Sequence, residues 1–410
     1  MSLSRQAKDA IFARFGAAKG QTLGLAVSGG GDSIALAALA AQWADGSGTG
    51  LAAVTIDHGL RKESAHEAQR VSSFCAELGI HHTTLTWDDW DGHGNLQDQA
   101  RRARVALITD WAVGLGIDAI ATGHTQDDQA ETVLLRLARG SGVDGLSAMA
   151  RVREKGPVTW HRPLLDVSRG NLRDYLAGEG LPWIDDPSNE DRTFDRVKAR
   201  QALDVLGELG IDRAGLAATA DRMQSARHAL ELGTSDLGKS AAQVDRGDVI
   251  LDWTEISQAP MELQFRLISQ ILMWVSGAEY RPRAQSLAGL IAAMEDRKTT
   301  VLSGCQISPE GSHRRVTREL AVVRDMQAPL GQIWDNRWEI SGPATRDATI
   351  RALGDDGIRA CPDWRESGLP RPSLIASPSV WSGPRLIAAP LAGFGREWRA
   401  KLVSGRNRPF

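Results

Sequence analysis

A short apolar run, Leu23-Gly24-Leu25-Ala26-Val27, leads straight into Ser28-Gly29-Gly30-Gly31-Asp32-Ser33 and then into an Ala- and Leu-rich stretch ending at Trp43. An apolar run without polar alternation suits a strand buried on both faces. The glycines turn the chain and a helix follows. The same order recurs downstream. Residues 51–56, 81–86 and 118–122 are predicted strands, and 63–78, 97–115 and 126–137 predicted helices. Strands that alternate with helices form a parallel sheet covered on both faces, so the fold class is α/β. Ligands of such sheets bind at the carboxyl ends of strands. Residues 28–33 and 123–132 both lie at such ends.

The glycine loop has the chemistry of an anion cradle. Glycines let backbone N–H groups turn toward an anion with no Cβ in the way. The helix N-terminus adds a positive dipole end. Ser28 and Ser33 offer hydroxyls to phosphate oxygens. A carboxylate among phosphates repels them unless a cation mediates, so Asp32 points to Mg²⁺. Two other phosphate-type strings fail in context. Gly233-Thr234-Ser235-Asp236-Leu237-Gly238-Lys239-Ser240 fits the Walker A expression, and Gly140-Ser141-Gly142-Val143-Asp144-Gly145 fits G-x-G-x-x-G. Both follow helix-like sequence, whereas a true cradle is fed by a strand.

The S-G-G-x-D-S string resembles the signature of the PP-loop ATP pyrophosphatases, which split ATP between its α- and β-phosphates. Further strings narrow the likeness. They are Ile56-Asp57-His58-Gly59-Leu60-Arg61, Asn95-Leu96-Gln97, Ala100-Arg101 with Arg104, and the run from Gly123-His124 to Glu131-Thr132. Arg162-Pro163-Leu164-Leu165 and Asp186-Pro187-Ser188-Asn189 follow in the same order. Together they resemble the tRNA(Ile)-lysidine synthetase branch, closely over about residues 20–200 and more loosely through Arg281-Pro282-Arg283 and Leu302-Ser303-Gly304-Cys305. The chain departs from that pattern at Val105 and Val197, where the family usually has Tyr and often has Asn.

The resemblance implies a reaction. ATP adenylates the C2 oxygen of the wobble cytidine of a CAU-anticodon tRNA(Ile), the side-chain amine of free L-lysine attacks C2, and AMP leaves. ATP and Mg²⁺ are the implied cofactors. Ser28, Gly29, Gly30, Gly31, Asp32 and Ser33 would hold the nucleotide phosphates, with His124 a further phosphate contact. Ile56 and His58 lie where related enzymes seat adenine. Asp128 and Glu131, three apart on one helix, share a face beside the loop. One carboxylate there would hold the lysine ammonium or take its proton, since only the neutral amine is nucleophilic. Arg101 and Arg104 share a helix face suited to the α-phosphate or the tRNA backbone. Arg162, Arg196 and Arg200 complete the expected substrate contacts; the last two belong to a basic cluster with Arg192 and Lys198. Asp32, Asp128, Glu131 and Arg104 are the expected catalytic set.

Two other functions stay open on the residues alone: a sulfur-using PP-loop tRNA modifier, and a non-catalytic tRNA-binding protein with a retained nucleotide loop. The three cysteines, Cys75, Cys305 and Cys361, form no paired motif, so sulfur transfer lacks its chemistry. They also leave no disulfide framework. With no signal-like N-terminus and no apolar run of membrane-spanning length, a cytoplasmic protein without a membrane partner is expected. No feature sets an oligomeric state.

Charge enters at this point. The 48 Lys+Arg and 51 Asp+Glu give −3, which argues against a nucleic-acid partner only if charge is even along the chain. Residues 311–410 hold 16 Lys+Arg against 10 Asp+Glu, or +6, leaving −9 for the first 310. Arg314, Arg315, Arg318, Arg337, Arg371, Arg385, Arg396, Arg399, Arg406 and Arg408 then suggest a phosphate-binding surface, while Trp334, Trp338, Trp364, Trp381 and Trp398 suit a core. The expected organisation is a catalytic domain over 1–212, a mainly helical tRNA-contacting domain over 213–325, and a small basic α+β tRNA-binding domain over 326–410.

Overall fold

The computed structural model describes residues 3–15, 21–59, 64–87, 96–184, 193–345 and 347–403. The chain divides into two compact units, Met1–Arg227 and His228–Phe410.

In the first unit helix α1 (Arg5–Phe15) precedes β1 (Thr22–Ala26), α2 (Gly31–Ser47), β2 (Gly50–Asp57), α3 (Ser64–Glu77), β3 (His81–Thr86), α4 (Leu96–Gly114), β4 (Ala119–Thr122) and α5 (Gln126–Leu137). Then come α6 (Val143–Leu146), β5 (Val152–Lys155), β6 (Val158–His161), α7 (Arg169–Gly178), α8 (Asp195–Gly207) and the start of the long α9 (Arg213–Ala241), whose residues from His228 on belong to the second unit. The six strands form one sheet in the order β3-β2-β1-β4-β6-β5. All neighbours are parallel except β5 with β6. Chain progression reverses between β1 and β4, and that reversal opens a crevice at their carboxyl ends.

The pleat of β1 explains its sequence. Leu23 and Leu25 enter a core with Leu36, Leu39, Val71, Leu172 and Tyr175. Gly24 faces the other side, where a Cβ would stand 3.2 Å from both Ile120 and Trp111. That second face is filled by Val54, Ile108, Ala112, Ile120 and Trp160. Truncating fully buried Leu25 to Ala would cost about 2–5 kcal/mol.

The second unit corrects the expected organisation. Strands β7 (Ala242–Asp245), β8 (Asp248–Asp252), β9 (Thr300–Leu302), β10 (Cys305–Glu310) and β11 (His313–Arg318) make an antiparallel sheet ordered β7-β8-β11-β10-β9. Its core is shared with α10 (Trp253–Gln258), α11 (Met261–Ser276) and α12 (Ala284–Glu295). Residues 326–410 are not a separate body. Buried Arg337 donates to the Gly247 carbonyl at 2.5 Å, and Ser373 donates to Asp248 at 2.5 Å. These bonds tie the tail to the five-stranded sheet, so 228–410 is one compact unit. The tail itself carries a four-stranded sheet around Ile350 and Val380, as its α+β character predicted. Trp334, Trp338, Trp381 and Trp398 are core.

Four tail arginines leave the expected phosphate surface. Arg314, Arg315, Arg318 and Arg337 are buried. Arg315 pairs with Asp245, Asp248 and Glu310, and Arg318 makes a two-pronged bond to Asp335. Arg371 pairs with Asp355. Arg385, Arg396 and Arg399 are exposed; Arg406 and Arg408 lie outside the described residues.

Candidate active site

The glycine loop sits at the β1/β4 crevice as its sequence requires. Gly29 has φ +88°, a left-handed conformation that disfavours any side chain, and a Cβ there would lie 2.9 Å from Ile184 and 3.0 Å from Val71. Ser33 Oγ accepts from the Ser28 N–H at 3.1 Å and donates to the Gly30 carbonyl at 2.9 Å, which fixes the loop's curl. Gly30 caps α2 with no side-chain bond; its carbonyl takes the Ser33 and Ile34 N–H groups, which leaves those of Gly31 and Asp32 for an anion. On the β4 side, a Cβ on Gly123 would meet the Asp32 carbonyl oxygen at 2.9 Å. That glycine lets the two expected segments touch.

Helix α5 begins with a reciprocal cap between Thr125 and Asp128. Asp128 Oδ2 accepts from the Thr125 N–H at 2.8 Å and from its hydroxyl at 3.1 Å. Its other oxygen accepts from Arg196 at 3.2 Å. Burial opposes the Asp128 charge, but the field of Arg196 and Arg169 and the Thr125 N–H bond hold its carboxyl below the ordinary range. Glu131, one turn on, is 1% exposed. Its Oε1 accepts from Arg200 at 3.0 Å, and its Oε2 has no hydrogen-bond partner among the described residues.

Sequence reading missed the residue at the centre, Arg169. Its Nε donates to Asp32 Oδ2 at 3.0 Å, while its other two nitrogens lie 3.6 Å from Asp128 and 3.6 Å from Glu131. Its backbone N–H donates to Asp127 at 2.7 Å, and the Gln126 N–H bonds the Val167 carbonyl at 3.0 Å, so α5 and α7 start from one fixed point. A signal existed. Ser168 caps α7, which places arginine at the first helical position, where the dipole disfavours a cation. Such an arginine needs acids nearby.

The remaining expected residues divide. Ile56 and His58 end β2, and His58 Nε2 lies 3.2 Å from an Arg104 nitrogen. Burial lowers the His58 pKa and the charge of Arg104 lowers it further. His124 bonds Thr122 through Nδ1 at 2.9 Å, and burial pushes its pKa down to about 4, so the ring is neutral at pH 7. Arg162 donates to the Ala150 carbonyl at 2.7 Å. Arg101 is exposed on α4, one turn from Arg104. Leu60, Arg61, Asn95, 186–189 and Arg192 lie outside the described residues. Val197 is buried, so the position offers packing rather than an amide. The Walker-type string lies inside α9, and the G-x-G-x-x-G string follows α5 without a strand, as expected.

Residues 3–205 match the PP-loop domain family. A tRNA(Ile)-lysidine synthase of Ruegeria pomeroyi is 47% identical over 96% of this chain and 94% of its own length. Another from Wolbachia pipientis is 36% identical over 77% of this chain and 75% of its own. The chain belongs to the tRNA(Ile)-lysidine synthase family. Membership makes it a tRNA-modifying enzyme rather than a non-catalytic binding module.

The site suits that family's chemistry better than sulfur transfer. All three cysteines of this lysidine synthase homologue are buried. Burial raises every one of their pKa values, to about 11 for Cys75 and about 12 for Cys305, so no thiolate is available near neutral pH. A Mg²⁺ ion brought by a nucleotide would meet a single carboxylate at the glycine loop, that of Asp32. Among the described residues no cluster of three or more His, Cys, Asp or Glu side chains could hold a metal alone. Asp32 is the fitting donor, since burial raises its pKa despite Arg169 and a cation would relieve that cost. No helix among the described residues is long and apolar enough to cross a membrane.

Proposed function

We propose that this chain joins L-lysine to C2 of the wobble cytidine of CAU-anticodon tRNA(Ile), using ATP and releasing pyrophosphate and AMP. The observation that carries it is the junction of a glycine anion loop with the buried acids of α5 at one strand-end crevice. Ser28, Gly29, Gly30, Gly31 and Ser33 bind the phosphates through N–H and hydroxyl groups. Asp32 would hold a nucleotide-bound Mg²⁺, which when bound neutralises charge on the departing pyrophosphate. The cytidine C2 oxygen bonds to the α-phosphorus as pyrophosphate leaves. The amine nitrogen then bonds to C2, AMP departs with the former C2 oxygen, and the amine's protons must be taken up.

The two acids have different tasks. Asp128 spends both oxygens on Thr125 and Arg196, so it acts as a fixed anion. Glu131 keeps a buried Oε2 unbonded, so it receives the ammonium proton. Arg101, Arg104, Arg162, Arg196 and Arg200 face the adenylate phosphate and the tRNA backbone, and Ile56, His58 and His124 line the nucleotide side. Incubation with ATP, Mg²⁺, labelled lysine and CAU-anticodon tRNA(Ile) should give tRNA-bound label. No label, or label that persists after Asp128→Ala with Glu131→Ala, would overturn this reading.

A further inference from the structure

We propose that Arg169 is a positioning residue that couples the nucleotide side of the site to the amine side, an inference that rests on the function proposed above. Each of its three side-chain nitrogens faces a different carboxylate: Asp32 of the glycine loop at 3.0 Å, Asp128 at 3.6 Å and Glu131 at 3.6 Å. Its backbone is pinned to Asp127, so the side chain swings from a fixed root. A planar fork can divide itself among three acids in a way that a point charge cannot.

The consequence is a competition. A nucleotide-borne cation at Asp32 takes the carboxylate that now accepts from Arg169 Nε. The guanidinium then moves fully onto Asp128 and Glu131, where both separations have room to shorten. Those acids lose negative character, so a cationic lysine binds them less well once nucleotide is present. The coupling is reciprocal, as any linkage of binding free energies must be.

Calorimetric titration of the full chain with L-lysine, with and without a non-hydrolysable ATP analogue plus Mg²⁺, reads the coupling directly. In the wild type the analogue should weaken lysine binding about tenfold, within the usual range for linked sites. In Arg169→Ala the ratio should fall to about two or less. Arg169→Lys should restore the melting temperature but not the coupling, which separates positioning from simple structural support and covers a poorly folded alanine variant. Arg200→Ala, which removes the cation bonded to Glu131 Oε1 and leaves Arg169 and Asp32 in place, should change lysine affinity and leave the ratio intact. A wild-type ratio of one, or a full ratio in Arg169→Lys, would overturn the proposal while tRNA labelling still supports the function. A wild type that binds no lysine would overturn both.

Discussion

In the second unit Arg315 meets Glu310 at 2.8 Å, Asp245 at 2.9 Å and Asp248 at 3.2 Å, and Ser373 donates to the same Asp248 oxygen. In the first unit Arg169 meets one acid at 3.0 Å and two others only at 3.6 Å, and Glu131 keeps one oxygen unbonded. Both clusters join an arginine to three acids, at least one of them buried. In one the guanidinium is bonded through all three nitrogens and links two stretches of chain; in the other only Nε is within bonding distance, and the cluster lies at strand ends. Unmet bonding capacity, rather than the presence of charge, separates a site from a staple.

The strongest way to break that comparison is Glu131→Gln. If the unbonded oxygen receives the amine proton, tRNA labelling should fall by about 10²–10⁴-fold. The melting temperature should change little, because the lost pairing with Arg200 and Arg169 is offset by relief of an unbonded buried carboxylate oxygen. A large fall in melting temperature with labelling retained would make this cluster a staple too. Arg315→Met should do the reverse. Asp245 keeps its pair with Arg246, but buried Asp248 is left without its cation, at a cost of about 3–5 kcal/mol, while ATP-analogue binding holds. Burial already pushes Asp248 up to about 6. The protonated form therefore tolerates the substitution, and the deficit should shrink between pH 7.5 and pH 5.

How far sequence reading went follows the same division. Helix α5 falls where it was predicted, residues 126–137, because Thr125 and Asp128 cap it locally. The carboxyl-end loops were legible because strand, glycine and helix are neighbours in the chain. Arg169 was not, since Asp32 lies 137 residues away and no periodicity records that pairing. The strands of the second unit were hidden for a related reason. They are three to six residues long. One of them reads His-Arg-Arg-Val-Thr-Arg, which looks like a basic surface until its acids are placed beside it. The +6 of residues 311–410 therefore overstated the phosphate surface.

His124 gives a smaller test on the first unit. Its pKa falls from 6.5 to about 4 on burial, so folding favours the neutral ring. Stability from that preference is complete above about pH 6.5 and is lost as pH falls toward 4, amounting to about 3 kcal/mol. His124→Asn should flatten the melting-temperature profile over that window, and an unchanged slope would place the acid lability elsewhere.

The smallest expected effect concerns the exposed arginines that remain. Deleting 326–410 would be a poor test, because Arg337 and Ser373 bond the five-stranded sheet and their removal would disrupt the whole second unit. Arg385→Gln, Arg396→Gln and Arg399→Gln instead change charge at exposed positions. Removing an arginine that pairs with a phosphate should lower the slope of log affinity against log salt by up to about one. If all three touch the backbone, the triple variant should bind tRNA more weakly at low salt and show a shallower salt dependence. Lysine and nucleotide binding should not move. A triple variant with the wild-type salt slope would shift the tRNA footprint to the arginines around the first unit's crevice, leaving the second unit's exposed charge as surface alone.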